Sequence, residues 1–417
     1  MEITFDTYDE DKSVYYFAKE PLSFQSEYLN LYLQKGIEEM GGKLNIVDIL
    51  VTTAQEITFS MFSRLFANNE RWEKEHVRKK IVEDYFAHCG FGRVNLHSIQ
   101  PKGGYIEAVS EHYAMAWKKH FGLRDEKLSG VSYFSLGFLC GAVEAIFDVK
   151  PGTFRGKQIQ CLSKGHSVCK FEIYRGFKRK INGSPSIGKL QHEVGEIEDV
   201  FVPNGQSVID AIKGLNLNGL DSKKGLIDQF DMTLTKQFAN YMAMVEIKLL
   251  MQAKKLGAGG LKTVKTFLEK LGEENAYFTI GKMINSDYWH EYIQESVGKD
   301  SNSELYACLD VFTAFGCGKW QLTSSDSGNA EFTIKNNPET NSFLKLVGNS
   351  KSPLGFYAGG LLMGIMNMLD RGAKTGGAGI DMSYVNKLKK AGHHYEYAQK
   401  SSRMTGAELD VFLVRKT

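Results

Sequence analysis

The side chains in this sequence that could do chemistry are chiefly its six cysteines, which are unevenly placed. Cys89, Cys140, Cys161 and Cys169 lie in the first half, Cys308 and Cys317 in the second. In a chain of this length they do not make a disulfide scaffold. In a reducing compartment they are free thiols, metal ligands or redox groups. His88 beside Cys89 offers a thiol–imidazole pair, but nothing in the sequence supplies an orienting third group, so a nucleophilic centre is not expected there. The other histidines are scattered, and His393-His394 is the one adjacent pair. The sequence contains no Gly-x-Ser-x-Gly elbow, phosphate loop or His-Glu-x-x-His. Gly257-Ala258-Gly259-Gly260 and Gly376-Gly377-Ala378-Gly379 lack the strand–helix flanks of a phosphate loop and read as flexible loops.

The elements that would position these groups come from a chain of 417 residues. At about 100–200 residues per domain, two or three domains are expected. Hydrophobic residues at 42% and charged residues at 24% describe an ordered globular chain. No apolar run approaches the roughly 18–20 residues that cross a bilayer. The acidic start, Met1-Glu2-Ile3-Thr4-Phe5-Asp6, lacks the order of a signal peptide, so a cytoplasmic location is expected. With 51 basic against 49 acidic side chains, no global field draws nucleic acid or anionic membrane. The basic run Phe177-Lys178-Arg179-Lys180 reads as a solvated loop. It begins a turn-rich stretch containing Asn182-Gly183-Ser184-Pro185-Ser186, expected to be a linker at 176–204.

The segments on either side of that linker repeat each other. Cys89-Gly90-Phe91-Gly92-Arg93 resembles Phe315-Gly316-Cys317-Gly318-Lys319, a glycine turn leading into a strand. Leu136-Gly137-Phe138-Leu139-Cys140-Gly141 resembles Leu354-Gly355-Phe356-Tyr357-Ala358-Gly359, each opening a buried helix. Lys164-Gly165-His166 through Ile173 resembles Thr405-Gly406-Ala407 through Val414, each a turn and a strand. Three matches in one order imply two related domains in tandem, 1–175 and 205–417, with the period of a duplication rather than of a solenoid. In the first, Leu44, Val47, Leu50, Val51, Ala54, Ile57 and Met61 recur at helical spacing; Trp72, Val77, Ile81 and Tyr85 suggest a second helix. Strand-like alternation over Val94–Val109 with a Gly103-Gly104 turn precedes a helix over Ser110–His120. The second copy is expected to begin with a helix over Leu226–Leu256. Helices followed by strands without strict alternation give an α+β fold, each copy ending in a β-hairpin, at 157–174 and about 395–415.

The stretch from Gly137 to Tyr174 resembles the 4-vinyl reductase domain. That family carries a glycine-bearing apolar helix, then Glu-x-x-Cys, seven residues, a second Cys and a closing strand. Here the cysteines are Cys161 and Cys169, with Gly165-His166 between them. The resemblance implies an α+β domain, commonly dimeric, that holds a small hydrophobic or aromatic molecule in an internal pocket. It implies a sensor or carrier rather than an enzyme, with a tetrapyrrole-related or reductase-like enzyme and a ligand-free scaffold as alternatives. A sensor without a DNA-binding or ATPase module would pass its signal to another protein or to the other copy, and the family's dimerisation implies an internal pseudo-dimer or a homodimer. By position, Tyr113, Trp117, Phe134, Phe138 and Cys140 are the expected pocket residues.

In sensor members of the family the hairpin cysteines bind structural zinc with a glutamate three residues before the first and a cysteine further upstream. The glutamate position is Gln158 and the upstream position Ser132. Zinc at Cys161 and Cys169 therefore lacks two of the four strong ligands it needs, and the expectation is a hairpin of two reduced thiols. In the second copy the corresponding positions are Ser402 and Asp410.

Overall fold

The computed structural model describes residues 4–41, 44–67, 72–176, 206–300, 302–326, 328–371, 380–390 and 394–417. The basic run Phe177–Lys180, the rest of the expected linker, the Gly376–Gly379 stretch and His393 lie outside the described residues. The first half contains β1 (Thr7–Asp9), β2 (Val14–Phe17), β3 (Glu20–Ser26), α1 (Glu27–Glu39), α2 (Thr53–Ala67), α3 (Glu75–His88), β4 (Gly92–Asn95), β5 (Gly103–Glu111), α4 (His112–Phe121), α5 (Tyr133–Ile146), β6 (Phe154–Gln160) and β7 (Cys169–Arg175). The second contains α6 (Gln206–Lys213), β8 (Ile227–Gln229), β9 (Met232–Phe238), α7 (Ala239–Lys255), α8 (Ala258–Asn275), α9 (Lys282–Ile284), α10 (Asp287–Tyr292), α11 (Ser303–Ala314), β10 (Lys319–Asp326), β11 (Asn329–Lys335), α12 (Pro338–Val347), α13 (Phe356–Asp370), α14 (Met382–Lys390), β12 (Tyr395–Ser401) and β13 (Asp410–Lys416). The fold is α+β with antiparallel sheets. Each half carries a four-stranded sheet, β4-β5-β7-β6 in the first and β10-β11-β13-β12 in the second, ending in a β-hairpin.

Contrary to the sequence expectation, a hairpin stands directly before the first long helix of each half, β2–β3 before α1 and β8–β9 before α7. The segment expected to be helix from Leu226 is β8 and β9 up to Phe238, and only then α7. The reason is local: Phe230 and Asp231 both take positive φ, at 54° and 57°, making a tight turn with the twist that hairpins favour. Ala18 and Lys19 make the same turn between β2 and β3, with φ of 47° and 65°. The two hairpins then pair with each other, β3 against β9, in one five-stranded sheet. The register is symmetric: Leu22 faces Phe238, Phe24 faces Lys236 and Ser26 faces Leu234.

Each hairpin also docks on the opposite half. Lys236 N–H donates to the Cys89 carbonyl at 2.9 Å, and Gly92 N–H to the Gly225 carbonyl at 2.9 Å. In the mirror arrangement, Phe24 N–H donates to Phe315 at 2.8 Å and Gly318 N–H to Ser13 at 3.1 Å. The glycine turns expected to match do so residue by residue. Gly90 and Gly92, like Gly316 and Gly318, have positive φ that an L side chain rarely adopts. The closing hairpins agree as well: Lys164, Gly165 and His166 repeat the backbone bonds of Thr405, Gly406 and Ala407.

The helix match is shifted from its sequence reading. Gly355 corresponds to Ser132, since each precedes the helix (α13 or α5) and donates its N–H to a glutamine, Gln399 or Gln158, at 3.1 Å. Gly137 and Gly141 therefore correspond to Gly360 and Gly364. Spaced four apart, each pair lies on one helix face. A Cβ at Gly137 or Gly141 would strike the carbonyls of Val51 or Gln55, and at Gly360 or Gly364 those of Glu269 or Glu273. The helix pairs α2–α5 and α8–α13 can thus approach backbone to backbone. Gly360→Ala should cost about 1–3 kcal/mol, the usual price of overpacking, measured as a lower urea midpoint at unchanged m-value.

Candidate functional site

Two places gather polar or reactive side chains: the corner of each closing hairpin, and the space beneath β3 and β9. At the first corner, Cys161 precedes a short turn and Cys169 opens β7. Leu162 N–H donates to Cys169 Sγ at 3.4 Å, and Cys161 Sγ lies 3.0 Å from Ser163 Oγ. The two thiols hydrogen-bond to each other, which favours the thiolate at Cys161 and the thiol at Cys169. Ser132 and Gln158 arrive at the same corner, where Gln158 Nε2 donates to Ser132 Oγ at 3.0 Å. Ser132 Oγ in turn donates to Glu111 Oε2 at 2.6 Å, and Ser135 Oγ to Glu111 Oε1 at 2.5 Å.

The four positions that the family resemblance connects with zinc therefore converge, but their chemistry does not fit the ion. Two thiols stand with a hydroxyl and an amide that already satisfy one another. Among the described residues no group of three or more His, Cys, Asp or Glu could hold a metal. At the second corner, Asp410 Oδ1 accepts from Ser402 Oγ and the Arg403 N–H, both at 3.0 Å, and from Gln399 Nε2 at 3.3 Å.

The residues expected to line a pocket in the first half form packed core instead. Tyr113, Phe134, Phe138 and Cys140 are buried. Phe134 and Phe138 have ring centroids 6.2 Å apart, and both touch Phe238. Tyr113 lies 5.9 Å from Phe134, and its hydroxyl accepts from Gln237 at 3.1 Å. Trp117 packs under the Arg124 guanidinium at 4.5 Å. Burial pushes the Cys140 thiol up, so it stays protonated.

The second half has a cavity of about 60 Å³ at the equivalent place. The matched turns and helix starts show why. Where the first half has Phe91, Tyr113, Phe138, Phe238 and Tyr241, the second has Cys317, Glu339, Leu361, Ser26 and Leu29, all of which line the cavity. Smaller side chains leave the space that rings fill in the first half. Because the hairpins are exchanged, Ser26 and Leu29 come from the first half of the sequence. Cys317, Glu339 and Tyr357 line the cavity and are half-buried.

One wall is polar and self-satisfied. Ser26 Oγ lies 2.5 Å from Thr279 Oγ1, which donates to Asn275 Oδ1 at 2.7 Å. Asn275 Nδ2 donates to Tyr357 Oη at 2.8 Å. Thr279 sits in a π-helical turn, Ala276–Gly281, a wide turn often found beside functional sites. Glu339 also lines the cavity, with its carboxyl beside that of Glu246. Burial and mutual contact raise Glu246 well above the usual carboxylate range, and burial raises Glu339 too. Burial also lifts the Cys317 thiol to about 12. A smaller cavity of about 10 Å³, the size of one water, shares Asn337, Glu339, Tyr357 and Ala358 with the first and reaches Asp410. No position in the second half carries a sequence signal for a pocket. Only the residue-by-residue match between halves reveals it.

No family model matches the chain, and no curated protein does. Among solved structures, the chain is similar to the phenol-responsive sensory domain of the transcription activator PoxR, solved with phenol. The likeness has a TM-score of 0.37 at 11% identity, over 52% of this chain and 91% of that one. At that distance it assigns no function. Among the described residues no helix is long and apolar enough to cross a membrane.

Proposed function

We propose that this chain is a non-catalytic binding protein, a sensor or carrier, whose small ligand occupies the cavity beneath β3 in the second half. The observation that supports this reading is the contrast between the halves. An unfilled cavity of about 60 Å³ costs roughly 1.5 kcal/mol at 24 cal/mol per Å³. The first half fills the equivalent space with rings, so the open copy forgoes the stability that rings there would supply. A binding role accounts for that difference. Ligand occupancy would be signalled through β3 and β9, since the cavity wall Ser23–Ser26 belongs to the sheet that joins the halves. The first half serves as the packed support of a fused, duplicated pair. The protein acts in the cytoplasm on this reading, and its signal passes to a protein partner.

Leu361→Phe tests the site by copying Phe138 of the filled half. It should raise stability by about 1 kcal/mol while abolishing ligand-induced thermal shifts. Screening compact organic molecules by thermal shift on wild type and variant is the measurement. Shifts that persist in Leu361→Phe would move the site elsewhere.

A further inference from the structure

We infer that the cavity takes a compact organic cation, a small alkylammonium group, held by an aromatic cage over the Glu339 carboxyl. This deepens the binding reading and rests on it. At about 10–15 Å³ per water-sized atom, the cavity has room for roughly four to six non-hydrogen atoms. Five rings line it, those of Phe24, Phe312, Phe315, Trp320 and Tyr357. Aromatic faces attract cations, above all weakly hydrated alkylammonium groups. No Lys, Arg or His lines the cavity among the described residues.

The ionisable groups around Glu339 are of one kind. Glu246 comes from α7, Cys317 from the turn before β10, Tyr357 from α13 and Asp410 from β13. Arg403 is engaged elsewhere, its N–H donating to Asp410 Oδ1 at 3.0 Å and its guanidinium to Asn341 Oδ1 at 2.5 Å. Glu246 and Glu339 each keep a buried carboxyl oxygen with no donor from any other side chain or the backbone. Two acids held together without a base form a site that a cation can complete. Its arrival would favour loss of a proton from the pair, so binding should strengthen as pH rises through the neutral range.

The test uses full-length protein with tetramethylammonium, tert-butylammonium and the neutral, shape-matched tert-butanol, by calorimetry at several pH values in buffers of different ionisation enthalpy. The expected result is binding of both cations with proton release, stronger at higher pH, and weaker by about tenfold or more in Glu339→Gln. The glutamine is nearly isosteric and keeps a polar group at the position, so the variant should fold; its melting temperature checks this. Equal binding of tert-butanol, or unchanged cation affinity in Glu339→Gln, would overturn the cation assignment and leave the binding site standing. Failure of the cations together with tert-butanol, phenol and xenon would overturn both.

Discussion

Replacing Phe238 with alanine should destabilise the protein by about 3–5 kcal/mol, the range for removing a buried ring from a packed core. Phe238 is fully buried, with centroids 5.9 Å from Phe134, 6.2 Å from Phe138 and 6.3 Å from Tyr85. None of these rings can collapse into the vacated space without breaking its other contacts. A second variant makes the expectation sharper. Ser26, the counterpart of Phe238, caps α1 by accepting from Leu29 N–H at 3.3 Å, whereas Phe238 gives α7 no side-chain cap. Phe238→Ser should therefore be less damaging than Phe238→Ala by about 1 kcal/mol, the value of an N-cap. Urea unfolding of both variants measures the difference. A serine variant no more stable than the alanine one would show that the two positions are not equivalent.

If those variants behave as expected, the first half acquires an open space like that of the second. At this place the two halves would then differ by fewer ring side chains. The hairpin exchange gives this consequence: β3 and β9 each form part of the roof over the other half's core, so one substitution in β9 changes the interior of the first half.

Much of this architecture was legible in the sequence, and the parts that were not have physical causes. The closing hairpins were visible because their turns depend on glycines with positive φ, Gly165 and Gly406, followed by alternating strands. The glycine turns at Gly90 and Gly316 were visible for the same reason. The opening hairpins were hidden because their tight turns use Ala18-Lys19 and Phe230-Asp231, of which only Asp231 is a usual turn residue, and neither turn contains glycine. Phe230, Leu234, Phe238 and Tyr241 also sit at spacings that suit a helix as well as a strand followed by one. The helix match slipped because Leu354-Gly355-Phe356 copies Leu136-Gly137-Phe138 in letters, while packing depends on which glycines face α2 or α8. The cavity escaped notice because it consists of absent volume. Aromatic residues in the first half suggested a pocket wall, yet a pocket requires smaller residues at those positions, and these are found in the other copy.

The protein should be most stable at mildly acidic pH, near about pH 5, rather than at or above neutrality. Burial pushes the carboxyls of Glu111, Glu144 and Asp310 up to about 7. For Glu111, hydrogen bonds from Ser132, Ser135 and the Ala114 N–H only partly offset this. None of the three has a cationic partner among the described residues to keep it charged. Between the ordinary carboxylate range and pH 7, the folded chain holds protons that the unfolded chain has released. Stability from these groups is therefore full below the unfolded pKa and lost as pH rises through 7. Each shift is worth up to about 3–4 kcal/mol. His112 acts in the opposite sense. Burial lowers it to about 4, so its contribution is present above the unfolded value and lost as pH falls towards 4. Its loss of about 3 kcal/mol is smaller than the three carboxyl gains combined. At still lower pH, Asp6 and Glu27 decide the outcome. Burial raises both, but hydrogen bonds from His88 and Lys236 to Asp6, and from His120 and Lys119 to Glu27, outweigh it and hold each at about 2. Their protonation should bring a steep loss of stability in acid. Urea midpoints across pH measure the whole curve. Glu111→Gln should flatten its alkaline limb, by up to about 1.4 kcal/mol per pH unit. A stability maximum at or above neutral pH, or a limb unchanged in Glu111→Gln, would mean that these carboxyls are ionised in the folded protein.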